Sequence, residues 1–409
     1  MSLLDETSFE ACTKCTICTE YCPVSEFNTA YPGPKQSGPD GARLRLKDPA
    51  NFDEALKYCT NCKRCEIHCP SGVKIGDIIQ LARQQYDKKM PLPRDAMLSH
   101  TDFFGTLAAT PLAPLLNRTL EFPLAKKALE TGFGIPSARV FPAYAPQTFR
   151  CWFVSQAKAG QTRYADLIAL FHGCYINYNN PDLGRDTVSV LNAFGIGVTL
   201  LDKEHCCGIP LIASGFFRKA RKNARFNSNV IGRTVDSGFS VVVPSSTCAM
   251  TLRNEYPHLL DVDNAAWRSK VDLLSRFLHR LWASGRNPEL RPLKLKVAYH
   301  TACHMEKIGW ASYSVDLLRR IPGVEVITLP STCCGIAGTY GFKSEYYDTS
   351  QKIGAELFRR IEASGADIVA CDCETCKMQI EMSTTKKCEH PVSILARSLG
   401  GKIENGWKS

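Results

Sequence analysis

Cys12, Cys15, Cys18 and Cys22 stand before Pro23, and Cys59, Cys62, Cys65 and Cys69 stand before Pro70. Both runs read C-x2-C-x2-C-x3-C-P. Thiolates are soft ligands that suit iron–sulfur clusters. A tight turn lets three of them face three corners of one cube. The proline ends the turn and frees the fourth cysteine to point elsewhere. In two-cluster ferredoxins that fourth cysteine ligates the other cluster. The spacing therefore predicts one [4Fe–4S] cluster on Cys12, Cys15, Cys18 and Cys69, and a second on Cys59, Cys62, Cys65 and Cys22. Zinc knuckles pair two C-x2-C units per metal and explain such runs poorly.

A second cysteine pattern is duplicated. ALFHGC, CCGIPLIASGF and VVVPSSTC are followed, in the same order, by VAYHTAC, CCGIAGTYGF and VACDCETC. Cys174 matches Cys303, Cys206 and Cys207 match Cys333 and Cys334, and Cys248 matches Cys376, at offsets of 129, 127 and 128 residues. Matched landmarks at nearly constant offset indicate an internal duplication. The second copy holds five thiols: Cys303, Cys333, Cys334, Cys373 and Cys376. That exceeds the ligand set of one cubane, and predicts an opened cluster or a redox dithiol. The first copy holds Cys174, Cys206, Cys207 and Cys248, with Ser245 in the place of Cys373. A cubane, an altered cluster or zinc all fit four thiols.

His172, His205, His300 and His304 flank these cysteines. Imidazole can ligate or donate a proton, but the default reading is a partly buried, hydrogen-bonded ring. Cys151, Cys371 and Cys388 read as inert. Gly208 and Gly335 follow the Cys-Cys pairs, where glycine permits a tight turn. No Gly-rich dinucleotide fingerprint follows a predicted strand, so no flavin or nicotinamide site and no catalytic residue is assigned.

The wider sequence supports ligation over disulfides. The chain has 409 residues, 44% apolar, with twenty cysteines. Disulfide-dense chains are usually small secreted domains, and the start MSLLDETSFEACTKC shows neither the basic nor the apolar part of a secretory leader. The net charge of +10 comes from scattered Lys and Arg without a nucleic-acid-binding motif. It reads as a solvated surface first and as attraction to an anionic membrane second. No stretch reaches the ~18 apolar residues of a membrane span. Gly105–Leu116 comes nearest and contains two prolines.

The elements that must position these residues are of two kinds. In the first region Asp48–Pro49 starts a helical run to Tyr58, and Ile75, Ile78, Ile79, Ala82 and Tyr86 share a helix face that reads as core. Each later copy reads as α/β. Asp166–Phe171 and Lys296–Tyr299 read as first strands, Val198–Leu201 and Val324–Leu329 as second strands, and Phe239–Val243 and Asp367–Ala370 as third strands. Asn180–Pro181 caps a helix through Leu191. Strands alternating with helices favour a parallel sheet, and each cysteine element then follows a strand's carboxyl end, where sites gather. The expected class is α+β and multi-domain. An α-helical ferredoxin domain (1–90) carries two [4Fe–4S] clusters. A connecting segment (91–162) contains amphipathic stretches at 101–116 and 119–134 that lie on a membrane surface or pack on the protein. Two duplicated α/β cysteine-rich domains (163–285 and 294–409) follow, joined through Ser284–Pro292.

At these residues the chain resembles a known family. Its repeated Cys…Cys-Cys-Gly…C-x2-C element is similar to the cysteine-rich (CCG) domain of heterodisulfide reductases, which also occurs in quinone-linked glycolate and lactate dehydrogenases. The order of parts and the stretches YPGPKQSGPDGARLRLKD, DEALKYCTNCKRCE, VKIGDIIQLAR, CCGIAGTYGFK and DCETCKMQIEMST resemble the C subunits of anaerobic glycerol-3-phosphate dehydrogenases. The resemblance implies a noncubane [4Fe–4S] cluster on the second copy's five cysteines. It also implies partner A and B subunits that oxidise glycerol 3-phosphate on FAD, transfer of their electrons to a membrane quinone, and peripheral attachment to the cytoplasmic side of the inner membrane in anaerobic respiration. The alternative it leaves is a related glycolate or lactate:quinone oxidoreductase, or a heterodisulfide-reductase-like enzyme with a catalytic second repeat.

Overall fold

The computed structural model describes residues 9–50, 53–86 and 91–400. The first region is helical, and its two cysteine runs share one unusual backbone. Lys14 and Thr16 flank Cys15 at φ 61° and 67°, and Asn61 and Lys63 flank Cys62 at 54° and 64°. Non-glycine residues rarely occupy this left-handed region, and such strain concentrates at functional sites. Short helices, Ile17–Glu20 and Arg64–Ile67, follow these turns. The longer helix Ile75–Tyr86 buries Ile75, Ile78, Ile79 and Ala82 in one cluster with Leu56 and Val73, the face expected from the sequence. Asp48 does not start a helix: it closes the helix Gly41–Lys47. Asp53 caps the next turn instead, its carboxylate accepting from the Ala55 N–H of Glu54–Tyr58. Residues 51 and 52 lie outside the described residues.

The two later regions are four-stranded parallel sheets. Strands β1 (Asp166–Leu170), β2 (Ile196–Leu200), β3 (Val241–Val243) and β4 (Val271–Leu273) run in the order β2-β1-β3-β4. Strands β5 (Leu295–Tyr299), β6 (Val324–Thr328), β7 (Ile368–Ala370) and β8 (Cys388–Glu389) repeat that order. Apolar runs suit parallel strands covered on both faces. The helix Pro181–Ala193 starts as its sequence dictates, with Asn180 Oδ1 accepting from the Leu183 N–H. The last strand of each sheet, three and two residues long, was not expected from the sequence.

The repeats share their interior. Leu170 and Val242 of the first sheet belong to one buried cluster with Tyr299 and Ala370 of the second. At its heart Asp372 accepts from the Tyr299 hydroxyl and the Ser314 hydroxyl, both at 2.8 Å, and Ser314 also meets Ser275 at 2.9 Å.

Between the ferredoxin-like region and the sheets lie the helices Thr101–Ala108, Ala113–Glu121 and Pro123–Phe133. The first is packed down: a Cβ on Gly105 would sit 2.4 Å from the Tyr178 ring. The last buries none of its residues. None of the described helices is long and apolar enough to cross a membrane.

Candidate metal centre

All twenty cysteines are free thiols, and most converge into groups. Cys18 is pushed up by burial and further by Cys12, Cys69 and Cys15 close by. Cys62 is pushed up to about 12, first by burial and then by Cys22. Cys65 is raised by burial and by neighbours that include Glu66, Cys62, Cys59 and Cys22. Each run's fourth cysteine therefore lies with the other run's first three.

In the repeats every cysteine except Cys388, which lies on β8, follows the carboxyl end of a strand. Cys174 lies on the helix Gly173–Tyr178 after β1, the pair Cys206–Cys207 after β2, and Cys248 on Ser246–Met250 after β3. Cys174 and Cys206 place their sulfurs 3.6 Å apart. Hydrogen bonds from Cys174 and Cys207 hold Cys206 well below the usual thiol range. In the second repeat Cys334 and Cys376 lie 3.3 Å apart. Hydrogen bonds from Cys333 and Cys376 hold Cys334 well below that range too. Cys373 immediately precedes the helix Glu374–Ser383, and the Gly335 N–H donates to Cys333 Sγ at 3.4 Å.

The histidines divide. His172 is buried, pulled down to about 4, and its Nδ1 lies 3.1 Å from Glu204 Oε1. Burial pushes Glu204 up to about 8, so near neutrality this contact joins two uncharged groups. Glu204 also accepts from the Gly173 N–H at 2.7 Å and so fixes the turn that presents Cys174. His205 sits beside the pair, its N–H donating to Asn227 Oδ1 at 2.9 Å. His300 is buried within 4.8 Å of Cys371 and Cys376. Cys371 therefore stands in the second thiol group rather than apart from it. Cys151 is exposed, and Cys388 is buried on β8.

The two thiol groups face one cavity of about 520 Å3, whose lining includes Cys62 of the first region as well as Cys174, Cys248, Cys303 and Cys376. Cys303 is raised by burial and then by Cys62, and Cys333 is raised by its hydrogen bond with Cys334 and by burial, with Cys303 and Cys62 adding to this. Side chains cross between the repeats here. Thr247 Oγ1 lies 3.5 Å from Cys373 Sγ. Ser245, which replaces a cysteine, donates to Glu374 Oε2 at 2.9 Å. His304 spans from Thr247 Oγ1 (3.3 Å) to the Asn61 carbonyl (3.5 Å). None of these crossings follows from the repeat period, because they depend on how the copies face each other.

Known proteins share these sequence elements. Residues 8–73 match the family described as a 4Fe-4S dicluster domain, and residues 168–253 and 297–381 each match the cysteine-rich CCG domain. The C subunit of anaerobic glycerol-3-phosphate dehydrogenase from Escherichia coli K12 is 56% identical over 397 residues, covering 97% of this chain and 100% of that protein. The chain belongs to the family of anaerobic glycerol-3-phosphate dehydrogenase C subunits. It is accordingly an iron–sulfur protein of that family, whose E. coli member is by name one subunit of the dehydrogenase. More distant relatives bear other names. Lactate utilization protein A of Halalkalibacterium halodurans is 33% identical, covering 52% of this chain and 87% of that one. The B subunit of the CoM/CoB fumarate reductase of Methanothermobacter marburgensis is 23% identical, covering 96% and 71%. For an iron–sulfur subunit the donor set is a chemical fit: grouped, undisulfided thiols with strained turns at the two N-terminal runs.

Proposed function

We propose that this chain takes electrons from the FAD-containing A and B subunits of glycerol-3-phosphate dehydrogenase and delivers them to a membrane quinone. Cys12, Cys15, Cys18 and Cys69 would hold one [4Fe–4S] cluster, and Cys59, Cys62, Cys65 and Cys22 a second. Cys303, Cys333, Cys334, Cys373 and Cys376 would hold a third, noncubane cluster, and Cys174, Cys206, Cys207 and Cys248 a cluster or zinc. Such clusters supply one-electron carriers, with potentials set by hydrogen bonds to sulfur and by exposure.

The observation that carries this reading is that Cys62 lines the same cavity as Cys303 and Cys333, which brings an N-terminal thiol to the second repeat. The chain's own part is to keep these groups dry and fixed. Thr247 and the Gly335 N–H point at ligand sulfurs, and the neutral His304 ties Thr247 to the turn that carries Cys62. Anaerobically purified protein should contain iron and acid-labile sulfide and show at least two [4Fe–4S] signals by EPR on reduction. Zinc without iron would overturn the proposal.

Attachment to the membrane belongs to the same reading. Leu112, Leu115 and Leu124 are 72%, 67% and 84% exposed, beside Arg118, Lys126 and Lys127. Apolar helix faces with flanking basic residues bind anionic interfaces. The chain should float with liposomes containing anionic lipid, and Leu115→Glu with Leu124→Glu should leave it at the bottom of the gradient. Unchanged flotation would mean that these helices do not hold the chain at the membrane.

A further inference from the structure

The cavity between the two repeats does not end at the thiols. It continues outward along Phe104, Leu107, Leu116, Leu120 and Leu129, all from the three helices that precede the first sheet. Two of these residues face both ways: Leu107 is 62% exposed and Leu116 37% exposed. The outer stretch is hydrocarbon and aromatic. Leu115 on the helix of Leu116 and Leu120, and Leu124 on the helix of Leu129, are exposed as well. Exposed apolar side chains gathered on one set of helices mark a place where water is not the natural neighbour.

The inner end is different in character. Thr247, His304 and Glu374 reach it from the two repeats, beside both thiol groups. A cavity of about 520 Å3 lies within the range of small-molecule sites, which combine apolar walls with a few convergent polar groups. Cofactors on the thiols would take up part of this volume, and Phe104 and the leucines of the helices would wall the rest. An apolar corridor from a membrane-facing surface to a redox centre fits a ligand with a hydrocarbon tail and a polar, reducible head.

We infer that this cavity is the binding site of the acceptor quinone, with its head between the two repeats and its isoprenoid tail leaving between Leu107 and Leu116 into the lipid. The inference rests on the proposal above that a quinone is the acceptor, and adds where and from which side it binds. Reduction adds two electrons and two protons. Each carbonyl oxygen becomes a hydroxyl, the electrons come from oxidation of glycerol 3-phosphate on the partner subunits, and the protons come from water. The reduced quinol leaves by the corridor through which the quinone entered.

The test is photolabelling of the reconstituted complex in liposomes with an azido-ubiquinone that carries an isoprenoid tail. Label is expected in the segment 101–133, removed by excess unlabelled quinone and reduced at least tenfold in Leu107→Trp with Leu116→Trp, which narrows the corridor. Cluster EPR spectra show whether that variant has folded. If it has not, a tail-less azido-benzoquinone takes its place, and tenfold weaker labelling than by the tailed probe is expected. Competed label confined to another segment, or equal labelling by both probes, overturns the site while leaving quinone as acceptor. Absence of both label and quinol formation in a complex that still reduces ferricyanide overturns the quinone reading itself, and the site with it.

Discussion

Replacing Gly335 by alanine should destabilise the second cysteine site more than the same change at its twin, Gly208, destabilises the first. Both glycines follow a Cys-Cys pair and both have positive φ, 85° at Gly335 and 103° at Gly208. Alanine pays a left-handed penalty of about 1–2 kcal/mol at either position. The surroundings separate them. At Gly335 a Cβ would sit 2.0 Å from the Ser350 carbonyl oxygen and 3.1 Å from the Gly354 nitrogen. Both are backbone atoms of the helix Ser344–Ala363, which cannot swing aside as a side chain does. At Gly208 the nearest atom is the Ala220 Cβ, at 3.6 Å, an ordinary contact. Overpacking adds about 1–3 kcal/mol at Gly335 and nothing at Gly208. Thermal melts followed by circular dichroism, with iron content per chain, should show Gly335→Ala losing several degrees and part of its iron. Gly208→Ala should lose less of both. Equal losses would show that backbone conformation alone governs the two turns.

Lys63→Met should have the other large effect. Lys63 sits between Cys62 and Cys65 and is buried with three carboxylates. It pairs with Asp77, with Glu255 Oε1 at 3.2 Å and with Glu66 Oε1 at 3.5 Å. Burial pulls its pKa down, but Asp77, Glu255 and Glu66 outweigh that and hold it well above the usual lysine value. Glu255 comes from the first repeat, and Lys307 of the second repeat reaches the same Glu66 at 2.7 Å. The network therefore bolts the cluster turn to both sheets. Removing one partner of a buried ion network leaves uncompensated charge and costs about 3–5 kcal/mol. Anaerobic urea unfolding should register a loss of this size, partly recovered when Glu255→Gln is added. A loss below about 1 kcal/mol would mean that water reaches the remaining carboxylates.

How much of this was legible in the sequence follows from range. The first, second and third strands of each repeat depend on local apolar runs and appear close to where those signals put them, and the two N-terminal cysteine runs are set by spacing alone. Asp48 misled because Asx-Pro is a good start signal only if the chain before it is not already helical. The left-handed Lys14, Thr16, Asn61 and Lys63 carry no glycine to announce them. Cys371 was legible in principle: it lies two residues before Cys373, and residues two apart at the end of a strand face the same side. Thr247 beside Cys373 and Ser245 beside Glu374 were not legible, because no periodicity encodes how one copy turns toward the other.

Those crossings have a consequence for how the duplicated halves can change over evolutionary time. A serine in one copy answers a glutamate in the other, and a threonine of the first attends a sulfur of the second. Neither half can now drift alone, and a gene fragment encoding a single copy would yield a site missing part of its own lining. What began as two equal copies has become one inseparable pair of unequal members.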